Sequence, residues 1–304
     1  MSLRELVVLG TASQVPTRRR AHNGLLLRWD DHGILVDPGE GTQRQLTLAG
    51  VASTAITRIC ITHAHGDHCF GLPGLAHRLS LDGVRRPVEV HHAAGAASVV
   101  EALLAAAPDA TTPMVLRPTA GGEVVAEDGG LRVSAVPLCH SVPTVGYRFE
   151  EPDGWRLLPE RLEALGVHGP ARERLRRAGE VEVGGRTVRV DEAAVERPGQ
   201  HAAVVMDTGW CDGALELAEG VDLLIVEATF LESERALAEE VGHLTAAQAA
   251  RLGEKAGARR IVLTHFSQRY LTTEGHLEEA RAAAPDLDLV VADDLTRVAV
   301  PARR

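Results

Sequence analysis

The first part of the chain alternates short apolar runs with turns that contain glycine, proline and aspartate. The runs at 5–10, 24–29 and 33–38 have the length of strands, and the sequence DDHG between the last two predicts a hairpin turn. The segment 41–51 has helical spacing and Gly50 near its end, which predicts a short helix. The chain therefore starts with strands and then reaches its first helix.

The same alternation continues along the rest of the sequence. Further strands are predicted at 58–63, 87–92, 124–140 (a hairpin through EDGG), 201–208, 221–228, 259–265 and 288–294. Helices are predicted at 71–80, 93–107, 212–219, 245–256 and 274–284. Strands that alternate with helices on both sides favour an α/β fold in four αββα layers over a pure sandwich. We predict one such domain over residues 1–304.

Residues 150–200 interrupt this alternation. The segment is polar and rich in Gly and Pro, and within 154–189 eight Arg stand against five Glu. This part is therefore locally basic in a chain whose net charge is −10. We predict an inserted flexible arm. Its composition is typical either of a solvated surface insertion or of a basic arm that binds a polyanion locally, and both alternatives stay open.

The charge of the whole chain limits how it could bind nucleic acid. A protein that binds nucleic acid over its whole surface is basic, so a net charge of −10 leaves only a local contact. The apolar runs are shorter than the ~20 residues of a membrane span. The four cysteines form no CxxC pair, which indicates no disulfide framework. We expect a cytoplasmic protein without a membrane segment.

One short stretch concentrates side chains that bind metals. In ITHAHGDH, residues 61–68, three histidines and an aspartate directly follow an apolar run, and three later apolar runs also end on His or Asp. Residues just beyond strand ends gather at one edge of a layered α/β fold. We therefore predict that four strand ends bring together seven ligands: His63, His65, Asp67, His68, His140, Asp207 and His265.

The types of these ligands indicate which metals they bind. Imidazole and carboxylate groups favour Zn²⁺, with Mn²⁺, Fe or Co as alternatives. Seven ligands suit two tetrahedral or five-coordinate cations that share one carboxylate. Chance clustering of HxHxDH in a chain of 304 residues is a poor explanation.

The motif HxHxDH after an apolar strand resembles that of the metallo-β-lactamase superfamily. The blocks DPGEGTQRQL, THAHGDHCFGLPGL, PLCHSVPTVGYRF, MDTGW, VEATF, GHLT and LTHFSQRY resemble, in this order, those of the ribonuclease Z family of tRNA 3′-processing endonucleases. The similarity covers nearly the whole chain, including an arm at 150–200. HxHxDH identifies the superfamily, whereas GEGTQRQ, GLPGL, EATF and LTHFSQRY indicate the ribonuclease Z branch.

The resemblance implies a metallo-β-lactamase sandwich with an exosite-like arm and two Zn²⁺ per subunit. One zinc would be held by His63, His65 and His140, the other by Asp67, His68 and His265, with Asp207 as the bridge. Two such cations activate water for the hydrolysis of a phosphodiester.

The resemblance also implies roles for three residues of the reaction itself. Asp67 would accept the proton of the attacking water as well as bind metal. His243 in GHLT would protonate the leaving oxygen, and Glu227 in VEATF would orient His243. The expected enzyme is a zinc-dependent endoribonuclease that removes the 3′ trailer of precursor tRNA and leaves a 3′-hydroxyl.

Substrate contacts are expected from arginines and from the arm. Arg18, Arg19 and Arg20 lie in the loop where the family carries a substrate-reading motif. Arg269 follows a ligand by four residues and is predicted to contact phosphate, with a surface ion pair as the alternative. In the family the arm of one subunit reaches the tRNA in the active site of the other, so a homodimer with precursor tRNA as its partner is implied.

Two departures from the family pattern motivate the first of two alternative functions. The loop reads PTRRRAHN where PxKxRN is usual, and Val226 stands where a histidine usually precedes Glu227. The first alternative is a hydrolase of the same fold that acts on a small phosphodiester or ester. The second is a binding protein with a vestigial metal site, against which the complete set of ligands argues.

Overall fold

A computed structural model describes residues 3–303. The strands in chain order are β1 (Arg4–Gly10), β2 (Ala12–Ser13), β3 (Gly24–Trp29), β4 (His32–Val36), β5 (Arg58–Ile61), β6 (Val88–Ala93), β7 (Met114–Thr119), β8 (Glu123–Asp128), β9 (Leu131–Leu138), β10 (Thr144–Glu150), β11 (Gly154–Leu157), β12 (Glu180–Val183), β13 (Arg186–Arg189), β14 (Ala194–Arg197), β15 (His201–Val205), β16 (Leu223–Glu227), β17 (Arg260–Thr264), β18 (Phe266–Ser267), β19 (Asp288–Val291) and β20 (Arg297–Ala299).

Helices separate many of these strands. The α-helices are α1 (Thr42–Leu48), α2 (Gly66–Cys69), α3 (Leu72–Leu81), α4 (Ala97–Ala105), α5 (Pro159–Ala164), α6 (Pro170–Ala178), α7 (Val190–Ala193), α8 (Asp212–Ala218), α9 (Arg235–Val241), α10 (Ala246–Lys255) and α11 (Glu274–Ala283), with single 3-10 turns at Ser53–Ala55, Ala94–Ala96 and Glu232–Glu234. No helix within residues 3–303 has both the length and the apolar character of a membrane span.

Two seven-stranded mixed sheets form the body of residues 3–149 and 201–301. The first has the order β20-β1-β3-β4-β5-β6-β7, and the second has the order β19-β17-β16-β15-β10-β9-β8. Strands β4 to β7 are parallel, as are β15, β16, β17 and β19. Parallel strands require crossover connections, which in α/β folds are usually helices. The αββα architecture predicted from the sequence is confirmed.

The second sheet is apolar on both faces because both faces are covered. Val204 and Ile225 belong to the core that also contains residues of the first sheet. Their neighbours Val205 and Leu224 pack instead with residues of α8 and α10. Successive side chains of a strand point to opposite faces, so a strand between two layers reads as a continuous apolar run.

Several strand predictions correspond closely to the structure. The DDHG turn joins β3 to β4, with Trp29 paired to His32 and Asp30 in the left-handed region at φ 55°. The EDGG hairpin joins β8 to β9. These turns need backbone conformations that aspartate and glycine adopt readily, which is why the sequence could predict them.

Residues 150–200, together with 302–303, form a second compact unit. Here β11 pairs with β14 and β12 pairs with β13, both antiparallel. Helices α5, α6 and α7 belong to the same unit. Its own small core consists of Leu162, Val167, Leu175, Val181, Val188, Val190, Ala193 and Ala194. The segment thus has regular elements that its composition did not predict, whereas its flexibility and its role as an arm stay predictions.

Candidate metal centre and active site

Four strands of the body end next to residues that the sequence predicted as ligands. β5 is followed by Thr62 and His63, β9 by Cys139 and His140, β15 by Met206 and Asp207, and β17 by His265. The remaining three predicted ligands lie between β5 and the end of the short helix α2. All seven side chains come together in groups whose ligand atoms lie within 4.8 Å of one another.

The first group surrounds one oxygen of Asp207. His63 Nε2 lies 3.5 Å from Asp207 Oδ2, and His140 Nε2 lies 3.8 Å from the same oxygen. His65 Nδ1 lies 3.0 Å from His63 Nε2 and 3.4 Å from His140 Nε2. Three imidazole nitrogens and one carboxylate oxygen therefore point at a common centre.

The second group surrounds the other oxygen of Asp207. Its Oδ1 lies 3.3 Å from His68 Nε2 and 3.2 Å from His265 Nε2. Asp67 Oδ2 lies 3.4 Å from His68 Nε2 and 3.5 Å from His265 Nε2. Each oxygen of Asp207 thus faces a different group, which is the arrangement of a bridging ligand.

These distances fit divalent cations better than they fit hydrogen bonds. A tetrahedral zinc with ligands at about 2.0–2.1 Å separates its ligand atoms by about 3.3 Å, close to most of the distances above. Asp207 Oδ1 is buried and has no hydrogen-bond partner among residues 3–303. A buried carboxylate oxygen without a donor is costly unless a cation satisfies it. The superfamily implies a divalent metal, and these residues fit one.

Burial and neighbouring charges act on the ligands in different directions. Burial raises the pKa of Asp207, but the neighbouring histidines, His265 and His68 above all, outweigh it and hold that pKa well below its ordinary value. Burial, with the neighbouring His68, lowers the pKa of His63 well below its ordinary value, whereas at His68 burial is outweighed by the surrounding carboxylates, which raise its pKa well above the ordinary value. An ionised carboxylate and a neutral imidazole are the forms that bind metal, so a cation would displace the proton of His68.

Three acceptors fix the orientation of the ligand imidazoles. Asp37 Oδ2 lies 2.8 Å from His68 Nδ1, and the carbonyl oxygen of Gly242 lies 3.0 Å from His140 Nδ1. Thr229 Oγ1 lies 3.0 Å from His265 Nδ1. When each Nδ1–H donates to its partner, each Nε2 keeps a lone pair toward the centre, the arrangement usual for metal-binding histidines.

Glu227 connects this centre to His243. Its Oε1 lies 2.8 Å from His243 Nδ1 and accepts the Thr208 backbone N–H at 2.7 Å. Its Oε2 accepts the Thr229 hydroxyl at 2.5 Å and the Leu244 N–H at 3.3 Å. The carboxylate is fully buried and has a partner on each side. Thr229 therefore lies between a predicted ligand, His265, and the carboxylate that holds His243.

His243 has an unusual electrostatic environment. Burial lowers its pKa, but the charge of Glu227 and the hydrogen bond to it raise that pKa to about 9. With Nδ1 bound to Glu227, its Nε2 lies 4.0 Å from Asp207 Oδ2. The ring also lines the cavity above the ligands. A protonated imidazole held in this way is suited to donate a proton.

A cavity of about 510 Å³ opens over the two groups. Its polar wall contains ligands from both groups together with Arg269, and its apolar wall contains Phe70, Phe230, Leu237 and Val241. Volumes of 300–1,000 Å³ are usual for binding sites. The cavity therefore places the candidate metal centre where a phosphodiester can reach it.

The four predicted substrate arginines differ in their surroundings. Arg269 lines the cavity, and its Nη1 forms an ion pair with Glu234 Oε1 at 3.5 Å, the alternative predicted for it. Arg18 and Arg19 are exposed in the loop but are not among the residues that line the cavity. Arg20 is only 7% exposed, and its Nη1 donates to the Tyr270 carbonyl at 3.0 Å. These side chains are therefore not equivalent.

Sequence reasoning missed Asp37, Thr208 and Thr229. Asp37 follows the apolar run of β4, so the strand-end signal that identified the ligands could have identified it as well. Thr229 lies two residues after Glu227, within the block EATF. No pattern distinguishes the Thr229 hydroxyl from other threonines until the fold places it beside His265.

Comparisons with known proteins agree with this geometry. A family model described as metallo-beta-lactamase superfamily matches residues 17–152, and a second, described as beta-lactamase superfamily domain, matches residues 178–266. The chain is 54% identical to a ribonuclease Z of Nocardia farcinica, with all of both chains covered. It is also 54% identical to a ribonuclease Z of Salinispora arenicola, with all of this chain and 98% of that one covered.

A solved structure extends the agreement to three dimensions. The short form of human tRNase Z is 25% identical and matches with a TM-score of 0.70, over 98% of this chain and 100% of that one. The family resemblance read from the sequence blocks is confirmed by these relatives. The chain therefore belongs to the ribonuclease Z family of the metallo-β-lactamase superfamily.

Proposed function

We propose that this chain is a metal-dependent endoribonuclease that removes the 3′ trailer of precursor tRNA. Its relatives of 54% identity carry the name ribonuclease Z over the whole chain length. The observation that carries the proposal is the position of Asp207, whose two oxygens face two separate groups of ligands beneath the cavity.

We propose that the two groups hold two Zn²⁺ ions. His63, His65 and His140 would hold one ion, Asp67, His68 and His265 would hold the other, and Asp207 would bridge them. When bound, such a pair lowers the pKa of water and neutralises charge that develops on the phosphodiester. The combination of imidazole and carboxylate ligands favours zinc, with Mn²⁺ or Fe as alternatives.

The protein side chains account for the proton movements. Asp67, which lines the cavity, accepts a proton of the attacking water. The water oxygen bonds to phosphorus, and the bond between phosphorus and the 3′-oxygen of the tRNA breaks. His243 donates its Nε2 proton to that oxygen, and Glu227 keeps the ring oriented. The tRNA leaves with a 3′-hydroxyl, and the phosphate stays on the trailer.

We also propose that residues 150–200 clamp tRNA and that the protein acts as a homodimer, as the family resemblance implies. Exposed arginines on α6 support a contact with phosphates: Arg174, Arg176 and Arg177 all lie on its solvent side. Leu175, between them, is buried in the small core. Phosphate contacts of this kind position a nucleic acid without reading its sequence.

A cleavage assay tests the main proposal. The purified, metal-loaded protein is incubated with a precursor tRNA transcript that carries a 3′ trailer, and Asp67→Ala serves as the control. We expect a tRNA with a 3′-hydroxyl and a trailer with a 5′-phosphate, mapped by mass spectrometry. The variant should leave the transcript intact.

Two results would support the alternatives instead. An intact transcript together with hydrolysis of bis(p-nitrophenyl) phosphate would favour a small phosphodiester as the substrate. No hydrolysis of either compound, with fewer than one metal ion per chain by elemental analysis, would favour a vestigial site.

A further inference from the structure

The loop of residues 11–22 is closed at its base by one carboxylate far away in the sequence. Asp294 Oδ1 accepts the Thr11 backbone N–H at 3.0 Å and the Thr11 hydroxyl at 2.8 Å. Asp294 Oδ2 accepts the Ala21 N–H at 2.7 Å and also lies 3.3 Å from Gln45 Nε2. The two oxygens therefore bind the two ends of the same loop.

The position of Asp294 is itself fixed by the neighbouring backbone. The N–H of Leu295 donates to the Val8 carbonyl at 2.6 Å, and the Val8 N–H donates to the Thr296 carbonyl at 2.9 Å. Asp294 lies in the turn before β20, and backbone hydrogen bonds attach this turn to β1. The loop leaves the sheet directly after β1, so the carboxylate connects the loop to the edge of the first sheet.

Arg20 lies near this carboxylate. Burial lowers the pKa of Arg20 and outweighs the charges of Asp293 and Asp294, which act in the opposite direction. Its guanidinium carbon lies 5.4 Å from the centre of the Phe266 ring. A buried arginine with these partners holds the loop in place, which separates it from the exposed Arg18 and Arg19.

The loop also contacts the candidate metal centre directly. The backbone N–H of Gln14 donates to Asp67 Oδ2 at 2.7 Å. The Phe266 N–H, next to His265, donates to the Thr11 carbonyl at 2.8 Å, and β18 pairs with β2 in parallel. The loop is therefore attached at its base to Asp294 and near its middle to a predicted ligand.

The exposed tip of the loop has a defined turn. The Thr17 hydroxyl accepts the backbone N–H groups of Arg19 at 3.2 Å and Arg20 at 3.0 Å, and the Thr17 N–H donates to the Arg20 carbonyl at 2.9 Å. A turn closed in this way fixes the backbone that carries Arg18 and Arg19, while their side chains are exposed. A backbone that is already ordered loses less conformational entropy when its side chains bind phosphate.

We propose that Asp294 is a positioning residue for RNA binding: it closes the loop of residues 11–22 so that Arg18 and Arg19 meet the phosphates of the substrate. This rests on the proposed function for the identity of the substrate. The closure of the loop by Asp294 does not depend on that function. Asp294 acts through the loop and does not touch the reacting atoms.

The isosteric variant Asp294→Asn tests the proposal. An asparagine offers one acceptor oxygen where the loop needs two, so in either orientation its NH₂ group faces a backbone N–H. We expect KM for precursor tRNA to rise by roughly ten- to a hundredfold, the size of effect expected when a hydrogen bond to a charged group is lost. Turnover of bis(p-nitrophenyl) phosphate and metal content should stay unchanged.

Trypsin gives a readout that does not depend on activity. Arg18 and Arg19 are exposed, so cleavage after them reports how firmly the loop is held. We expect faster cleavage at these two positions in Asp294→Asn, located by mass spectrometry. Asp288→Asn is the matched control, because Asp288 is an exposed carboxylate of β19 that pairs with Arg260 at 2.8 Å. It should behave like the wild type.

A second pair of variants covers the case that Asp294→Asn does not fold. Thr11→Val removes the hydroxyl that donates to Asp294, and Thr11→Ser keeps it. The valine variant should show the same changes in KM and in tryptic cleavage, to a smaller extent.

Either of two results would overturn the proposal. One is a loop that stays as resistant to trypsin as the wild type, with an unchanged KM. The other is an equal loss of activity on both substrates, which would mean a general structural role. If the wild type does not cut precursor tRNA, the proposed function fails, and the rate of tryptic cleavage still tests the closure of the loop.

Discussion

The metal centre and the unit of residues 150–200 use charge in opposite ways. In the metal centre the charged groups lie buried among fixed neighbours, as with Glu227, which accepts hydrogen bonds on both oxygens. On α6 of the second unit the charges are exposed: Arg176 and Arg177 share Glu173 at 2.7 Å, and their side chains are 58% and 80% exposed.

Buried and exposed charges are therefore suited to different tasks, catalysis and the attraction of a charged partner. Buried charges with fixed partners give the geometry that chemistry requires, and removal of one partner leaves another unsatisfied. Exposed ion pairs contribute little to stability and exchange partners easily. An exposed basic face is therefore suited to attract a polyanion without fixing its exact position.

The largest effect is expected at Asp207. Asp207→Asn keeps the shape and tolerates the left-handed backbone at φ 44°, but one of its two acceptor oxygens becomes a donor that faces imidazoles. Cleavage of precursor tRNA should fall below detection, and the metal content per chain should fall with it. Asp212→Asn, an exposed position five residues later, is the control. Normal metal content and activity in Asp207→Asn would contradict the bridging role.

The next effect is expected at His243. His243→Ala removes the proposed proton donor while the seven predicted ligands stay in place. We expect kcat to fall by about 10²- to 10⁴-fold, the usual contribution of a general acid, with unchanged metal content. Steady-state kinetics with elemental analysis measures both. A variant that turns over at the rate of the wild type would exclude His243 from proton transfer.

A smaller effect is expected at Thr229. Thr229→Val keeps the shape of the side chain but removes the hydroxyl between His265 and Glu227. Activity or metal affinity should fall by about 10- to 100-fold, as is typical when a partner of a metal ligand is lost. Thr229→Ser keeps the hydroxyl and should recover most of the activity. Equal losses in the two variants would point to packing instead of hydrogen bonding.

The smallest effect is expected in the second unit. Arg174 is exposed on α6 and forms no ion pair within residues 3–303. Arg174→Ala should weaken tRNA binding a few-fold and reduce the slope of log K against log salt by about 1. Arg132→Ala, an exposed arginine of β9, changes the net charge equally and is the control. Identical slopes of log K against log salt for the two variants would mean that the second unit takes no part in RNA binding.

Much of the metal centre was predictable from the sequence because its residues follow strands. His140, Asp207 and His265 each come after an apolar run, and the body brings these strand ends to one edge. The same signal was present at Asp37 and was overlooked. A ligand residue directly after an apolar run is a local sequence pattern, so it can be recognised without knowledge of the fold.

The rest depends on contacts between distant parts of the chain. Asp294 closes a loop more than 270 residues before it, and no sequence period connects the two. Arg18, Arg19 and Arg20 look equivalent in the sequence, and burial alone distinguishes Arg20 from the other two. In residues 150–200 the apolar positions are few and the elements have four to nine residues, too short for a clear helical or strand period.

The left-handed backbone at Asp37, Asp207 and His265 is a conformation that aspartate and histidine adopt more often than other non-glycine residues, so the chain turns sharply at residues that also take part in the centre. Their φ angles of 49°, 44° and 63° lie in the left-handed region, which glycine adopts without strain. Most other side chains are strained there by about 1–3 kcal/mol. Any replacement at these positions must fit this backbone and also supply the polar atom, which few residue types can do.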